Sequence, residues 1–495
     1  MAGFYTKSFI LVYYVNYMED LLLKNGKCYL YGQGLVDADI LIENGKIKSI
    51  SKSFQGKASN IIDVNNNLII PGVIDSHTHI GIYRDFKNDA KTESRSAVYG
   101  GVTTLLSYFR TGRNYLNKTG SYKEILPELF EKSKNSFYTD YGFNIGPNTK
   151  EQLDEVQYLI NNGVSTFKFY MFYKGLNLKS QSVNTSVEKE YLLSNDKYDL
   201  GYLWNLMKKI ASQDNTHVRL SIHAEEAEII KDFIDVAKKE YGEHKVNEMQ
   251  AYSEARPPES EYVAIYEALS MASLLKCPIN LLHVSSEKAM RAIEENRLIH
   301  PDIDLMVEVT ASHITLDNSM QIGLKGKVNP PIRRDTDVEY LWNSIIKGEV
   351  NTISSDHAAL TSDMKGKDLW DAENGYGATE LLLPAVIDGG YFKRGIPLDI
   401  LLPLITYNQA KYHGMLNSKG SIALGKDADL TIVDLKKEKT VRALELHSAQ
   451  DFTPFEGLKL KGWPITTILG GKIIMKDNDI ISKPTGKFIK RPEKY

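Results

Sequence analysis

Between residues 72 and 415 the chain alternates short apolar runs with longer stretches in which apolar residues recur three and four apart. The runs are "GVIDSHTHI", "GVTTLLSYF", "FYTDYGFNIG", "GVSTFKFYMF", "VRLSIHAEE", "CPINLLHVSS", "DLMVEVTASH" and "VNTISSDHA". They read as strands. Intervening segments such as "SEYVAIYEALSMASLLK" and "EYLWNSIIKG" carry the helical period. The pattern predicts eight strand-plus-helix units, which is what a (β/α)8 barrel requires; such a barrel keeps its reactive groups at the C-terminal ends of the strands. A doubly wound open sheet is the structural alternative.

The two ends read differently. After Met18 come the short alternating segments "DLLLKNGKCYLY", "DADILIENGKIKSIS" and "NIIDVNNNLIIPG", with Asn-Gly pairs at 25–26 and 44–45 that predict hairpin turns. Similar material, "GKDADLTIVDLKK" and "TTILGGKIIMKDN", returns from about residue 418. These ends predict one small β-sandwich domain built from residues 18–71 and 416–495, with the barrel of residues 72–415 inserted between them. Residues 1–17 are expected to form a peripheral extension, with Met18 a candidate start. Their apolar run from Phe9 to Val15 is too short to span a bilayer and lacks a signal-peptide cleavage site.

Composition narrows the function. A chain of 495 residues exceeds what one hydrophobic core usually organises, which agrees with two domains. Lys plus Arg number 60 against 63 Asp plus Glu, and no basic block marks a nucleic-acid or anionic-membrane surface. Small-molecule chemistry is left as the expectation. Cys28 and Cys277 are too few for a disulfide framework, so a reducing compartment such as the cytosol fits.

One residue breaks the pattern. Lys168 interrupts the apolar run "GVSTFKFYMFYKG", and a buried ammonium there costs several kcal/mol unless it is paired, neutralised or chemically altered. The explanation lies on other strands. His77 and His79 stand two apart in "IDSHTHI", so a strand points both imidazoles to one side. His223, His283 and Asp356 end the fifth, sixth and eighth runs. Each has an ordinary reading, as a core histidine or a helix cap, but all five would meet at one barrel mouth, where four imidazoles and a carboxylate suit zinc, with iron or manganese as alternatives. Two divalent ions there would lack anionic compensation. Carboxylation of Lys168 by CO2 would supply it, converting a buried ammonium into a carboxylate-like bridge.

With these residues placed, the sequence resembles the cyclic amidohydrolases: dihydropyrimidinases and hydantoinases, with dihydroorotases and allantoinases as relatives. The resemblance runs from about Asp20 to Arg491 through "LIIPGVIDSHTHI", "GGVTT", "FKFYMFYKG", "IHAEE", "LLHVSS", "KVNPPIR", "SSDHA", "GSIALGKDADLTIVD" and "FTPFEGLKLKGWP". It implies that His77, His79 and Asp356 bind one metal and His223 and His283 the other, with carboxylated Lys168 shared. It also implies a homo-oligomer, tetrameric or dimeric. The expected reaction is attack on a ring amide by a hydroxide bridging the two ions, with Asp356 moving the proton to the leaving nitrogen and Tyr173 donating to the oxyanion. Asn329 and Asn374, on loops after late strands, are candidates for binding the substrate's amide edge.

The choice of ring is divided. "DSHTHI" and Tyr173 resemble dihydropyrimidinases and hydantoinases, whereas "EVTASH" and Asn329 before paired prolines resemble the dihydroorotase and allantoinase branch. Dihydroorotases usually place an arginine two residues after the second histidine, where this chain has Gly81; Arg84 and Arg110 are nearby. A neutral dihydropyrimidine or 5-substituted hydantoin is the expected substrate, and dihydroorotate, or allantoin, the alternative. A non-catalytic assembly protein on the same fold is the remote alternative, and the complete ligand set argues against it.

Overall fold

A computed structural model describes residues 20–112, 114–174, 197–213, 217–244 and 247–492; the extension expected at residues 1–17 lies outside them. All eight runs become parallel strands, paired in sequence order: Val73–Thr78, Val102–Arg110, Asp140–Gly146, Thr166–Tyr170, Arg219–His223, Ile279–Leu281, Leu305–Thr310 and Thr352–Ser354. Every residue in them is buried, as expected of strands covered by helices outside and packed side chains within. The helices follow the apolar period. In Leu200–Ala211, for example, Leu203, Leu206, Met207 and Ile210 are buried, and the Asp199 side chain caps the Tyr202 N–H.

The last strand returns to the first. Thr78 bridges His357 in parallel, the His79 N–H donates to the His357 carbonyl at 2.7 Å, and the His357 N–H donates to the His77 carbonyl at 3.2 Å. Barrel closure thus runs through the residues expected to bind metal.

The chain ends share a nine-stranded sheet. Leu68–Pro71 from the first end pairs antiparallel with Leu430–Thr440 from the second, aligning Leu430 with Pro71 and Val433 with Leu68. Of the two Asn-Gly pairs, only 44–45 is a hairpin turn, with both residues at positive φ between strands Gly34–Glu43 and Lys46–Ser51. The pair at 25–26 corrects the expectation. It lies inside the strand Leu21–Leu30, where the register against its neighbour shifts between Leu23 and Gly26. The left-handed Asn25 forms a bulge there, and a Cβ on Gly26 would stand 2.3 Å from Ile69.

The sheet is fastened to the barrel by charge. The Lys419 ammonium, 4% exposed, lies 2.6 Å from Asp140 on the third barrel strand, 2.9 Å from Asp427 and 2.5 Å from Asp429. Burial alone would lower its pKa, but the three carboxylates reverse this and hold it well above the usual value. Among the described residues no helix is long and apolar enough to cross a membrane. Replacing Lys419 by Met strands buried carboxylates and should destabilise the protein by about 3–5 kcal/mol, read from denaturant unfolding.

Candidate functional site

The expected ligands meet at the C-terminal mouth of the barrel. His77 is the fifth residue of the first strand and His79 follows its end; Lys168 is central in the fourth strand, and His223 closes the fifth. His283 and Asp356 each lie two residues beyond a short strand. Both have positive φ, 38° and 54°, a conformation costing a non-glycine residue about 1–2 kcal/mol and one that turns their side chains out of the strand alternation.

Hydrogen bonds decide which imidazole nitrogens are left with lone pairs. Glu308, buried on the seventh strand, accepts the His77 Nδ1–H at 2.7 Å, so His77 Nε2 carries the lone pair. The same Glu308 oxygen accepts the His283 backbone N–H at 3.3 Å, tying ligands of the first and sixth strands together. His79 Nδ1 lies 3.0 Å from the Tyr115 hydroxyl, and with the proton on that nitrogen the Nε2 lone pair is presented. His223 Nε2 lies 2.5 Å from Glu225, which leaves Nδ1. Glu225 is itself held by the fully buried Arg256 at 2.9 and 2.5 Å.

The electron pairs then converge. Asp356 Oδ1 lies 3.0 Å from His77 Nε2 and 3.2 Å from His79 Nε2. A carboxylate facing two unprotonated nitrogens is repulsive without a cation between them, and these separations approach the roughly 3.3 Å expected for donors about 2.0–2.1 Å from one tetrahedral ion. On the other side, the His223 and His283 ring centroids are 4.3 Å apart, and His283 Nδ1 is buried with no hydrogen-bond partner. The residues fit a two-ion centre.

Lys168 sits between the halves. Its Nζ is 3.2 Å from His77 Nε2 and lies 4.3 and 4.9 Å from the ring centres of Tyr108 and Tyr170. Burial lowers its pKa to about 8, against the opposing pull of Asp356 and Glu308. Burial likewise lowers His79 and His223 to about 4, so both imidazoles are neutral at pH 7.

The cavity above is lined by His79, Lys168, His223, His283 and Asp356, together with Tyr173, Asn329 and Asn374; His77 lies beneath them. All nine residues singled out in the sequence are therefore brought together. Tyr173 lies in the turn Met171–Tyr173, and burial raises its pKa, so the phenol keeps its proton. Of the two arginines, Arg110 lines the cavity, whereas Arg84 is turned to Asp89 and Glu93 at 3.4 and 3.5 Å.

Sequence reasoning missed Glu308, Glu225, Tyr115 and Arg256. Glu308 had a signal, since a carboxylate in the apolar run "LMVEVT" is as anomalous as Lys168. Glu308→Gln should weaken metal binding about 10–100-fold in chelator competition, because the hydrogen bond orienting His77 loses its charge; unchanged affinity would contradict that role.

With this geometry in place, comparison with known proteins locates the chain. Residues 200–474 match the model of the amidohydrolase family. An allantoinase from Bacillus licheniformis is 30% identical over 95% of this chain and 99% of its own length. A dihydroorotase from Methanosphaera stadtmanae is 29% identical over 95% of this chain and 100% of its own. The solved L-hydantoinase (dihydropyrimidinase) from Arthrobacter aurescens superposes with a TM-score of 0.84 at 27% identity, covering 96% of this chain and 100% of that one. Family match, full-length relatives and shared fold agree: the chain belongs to the amidohydrolase family.

Proposed function

We propose that this protein hydrolyses the ring amide of a cyclic ureide, with a dihydropyrimidine or a 5-substituted hydantoin as substrate. The observation that carries the reading is the convergence of unprotonated His77 and His79 nitrogens, the Asp356 carboxylate and the Lys168 amine on one cavity that Tyr173, Asn329 and Asn374 also line.

Two divalent ions, zinc by the chemistry of the donors, would supply an acidified water as nucleophile and polarise the scissile carbonyl when bound. His77, His79 and Asp356 would hold one ion, and His223 and His283 the other. Lys168 would bridge them as a carbamate. Its neutral amine forms an N–C bond to CO2 and releases a proton, leaving an anion where an ammonium would repel the ions. Asp356 takes up a proton at its carboxylate and passes it to the ring nitrogen as the C–N bond breaks. The Tyr173 phenol, kept protonated by burial, donates to the oxygen that becomes negative when the carbonyl is attacked.

A second reading has its own support. Arg110 is 4% exposed and lines the cavity, so a ring bearing a carboxylate, as in dihydroorotate, would meet a guanidinium there. Both cysteines are free and buried, consistent with a reducing compartment.

A panel of dihydrouracil, 5-substituted hydantoin, dihydroorotate and allantoin, assayed with zinc and bicarbonate, should show turnover of one of the first two. Turnover of dihydroorotate alone moves the assignment to the second reading, and turnover of none contradicts both. In Lys168→Ala the activity should vanish and return in part with a short carboxylic acid that occupies the bridge. Full activity without that acid would refute the carbamate.

A further inference from the structure

Asn329 and Asn374 stand on different loops yet share one partner. The hydroxyl of Tyr252, on the helix Glu248–Ala255 behind the cavity wall, lies 2.6 Å from Asn329 Oδ1 and 3.0 Å from Asn374 Oδ1. A phenol has one proton to donate. Only one of the amide oxygens can accept it in a strong, linear bond, and an O···O contact without a proton is repulsive.

The two lengths separate the roles. A contact of 2.6 Å belongs to O–H···O bonds, whereas 3.0 Å is the usual length of N–H···O. Rotating the Asn374 amide by half a turn about Cβ–Cγ exchanges its oxygen and nitrogen, so that its amino group donates to the phenol oxygen and every contact at Tyr252 is favourable. Burial raises the Tyr252 pKa, which keeps the single proton in place.

The backbone around Asn374 is already engaged. Its carbonyl accepts from the Tyr83 hydroxyl at 2.6 Å, and the Gly375 N–H donates to the Lys327 carbonyl at 2.9 Å. Two buried lysine side chains stiffen the same loop: Lys327 Nζ donates to the Trp370 and Ala372 carbonyls at 3.1 and 2.7 Å, and Lys365 Nζ to the Lys327 and Gly375 carbonyls, each at 2.8 Å. The side chains of Asn329 and Asn374 are left facing the cavity from fixed positions.

We propose that Tyr252 locks these two amides in opposite senses, so that Asn329 offers its amino group and Asn374 its carbonyl to the cavity. A donor beside an acceptor is complementary to the carbonyl and adjacent N–H of a cyclic ureide. Had both oxygens faced Tyr252, the wall would offer two donors and have no use for a ring N–H. Tyr252 is thus a positioning residue that sets which ring edge is read. The inference rests on the ureide reading above and specifies how the ureide is held.

The test is isothermal titration of the metal-loaded protein with a 5-substituted hydantoin and its N1-methyl and N3-methyl derivatives, where binding appears as injection heat and turnover as sustained heat flow. For the wild type, one methyl derivative should bind at least tenfold more weakly than the parent. That penalty should fall below threefold in Tyr252→Phe, and in Asn374→Ala as an independent variant, while KM for the parent rises more than kcat falls. Equal affinity for the parent and both derivatives, or a penalty undiminished in the two variants, overturns the inference alone. Binding of the parent without turnover overturns the ureide-hydrolase reading alone, and binding of none overturns both.

Discussion

The constraint on which this structure depends is electrostatic: lone pairs from several strands are forced together in a buried place with no protons between them. His77 Nε2, His79 Nε2 and Asp356 Oδ1 approach within 3.0–3.2 Å along two of their contacts because Glu308 and Tyr115 hold the far sides of the rings. Such an arrangement is stable only around positive charge. The barrel is closed at the same spot, through hydrogen bonds among His77, His79 and His357, so strain at the site and closure of the fold are linked. The positive φ of His283 and Asp356 belongs to the same compromise, a local cost accepted where side chains must leave the strand pattern.

In the proposed centre, Lys168 is the residue that would balance the charge. It is buried in a strand whose remaining members are apolar, aromatic or Thr166, and the two nearest aromatic faces, Tyr108 and Tyr170, give its ammonium only weak compensation. A lysine so placed shifts readily toward its neutral form, and the neutral form is the one that reacts with CO2. As a carbamate, the same residue would account for both the anomaly in the strand and the anion that the proposed two-ion centre needs.

Much of this was legible in the sequence, for physical reasons that also mark where legibility ended. Strand period and apolar runs located all eight barrel strands, and the strand ends then located His77, His79, His223, His283 and Asp356. Asn25–Gly26 misled because a left-handed Asn suits a bulge as well as a turn, and only the pairing of Leu21–Leu30 with its neighbour distinguishes them. Tyr115, Arg256 and Tyr252 could not be found by pattern. Tyr115 lies on a loop, Tyr252 on the helix Glu248–Ala255 and Arg256 just past its end, places whose approach to the site is fixed by tertiary packing and where these residue types are ordinary. The recognition wall is a similar case, since the polarity of Asn329 and Asn374 depends on a third residue distant from both in sequence.

Whether Lys168 supplies an anion between two metal ions is read by 13C NMR of the zinc-loaded protein prepared in 13C-bicarbonate, with metal content determined on the same sample. A carbamate carbon signal that is absent from Lys168→Ala is expected, with two zinc equivalents per chain in the wild type and faster uptake of label by metal-free protein as pH rises through about 8, where the amine loses its proton. A fully metallated, active wild-type protein without a carbamate signal would contradict that role for Lys168.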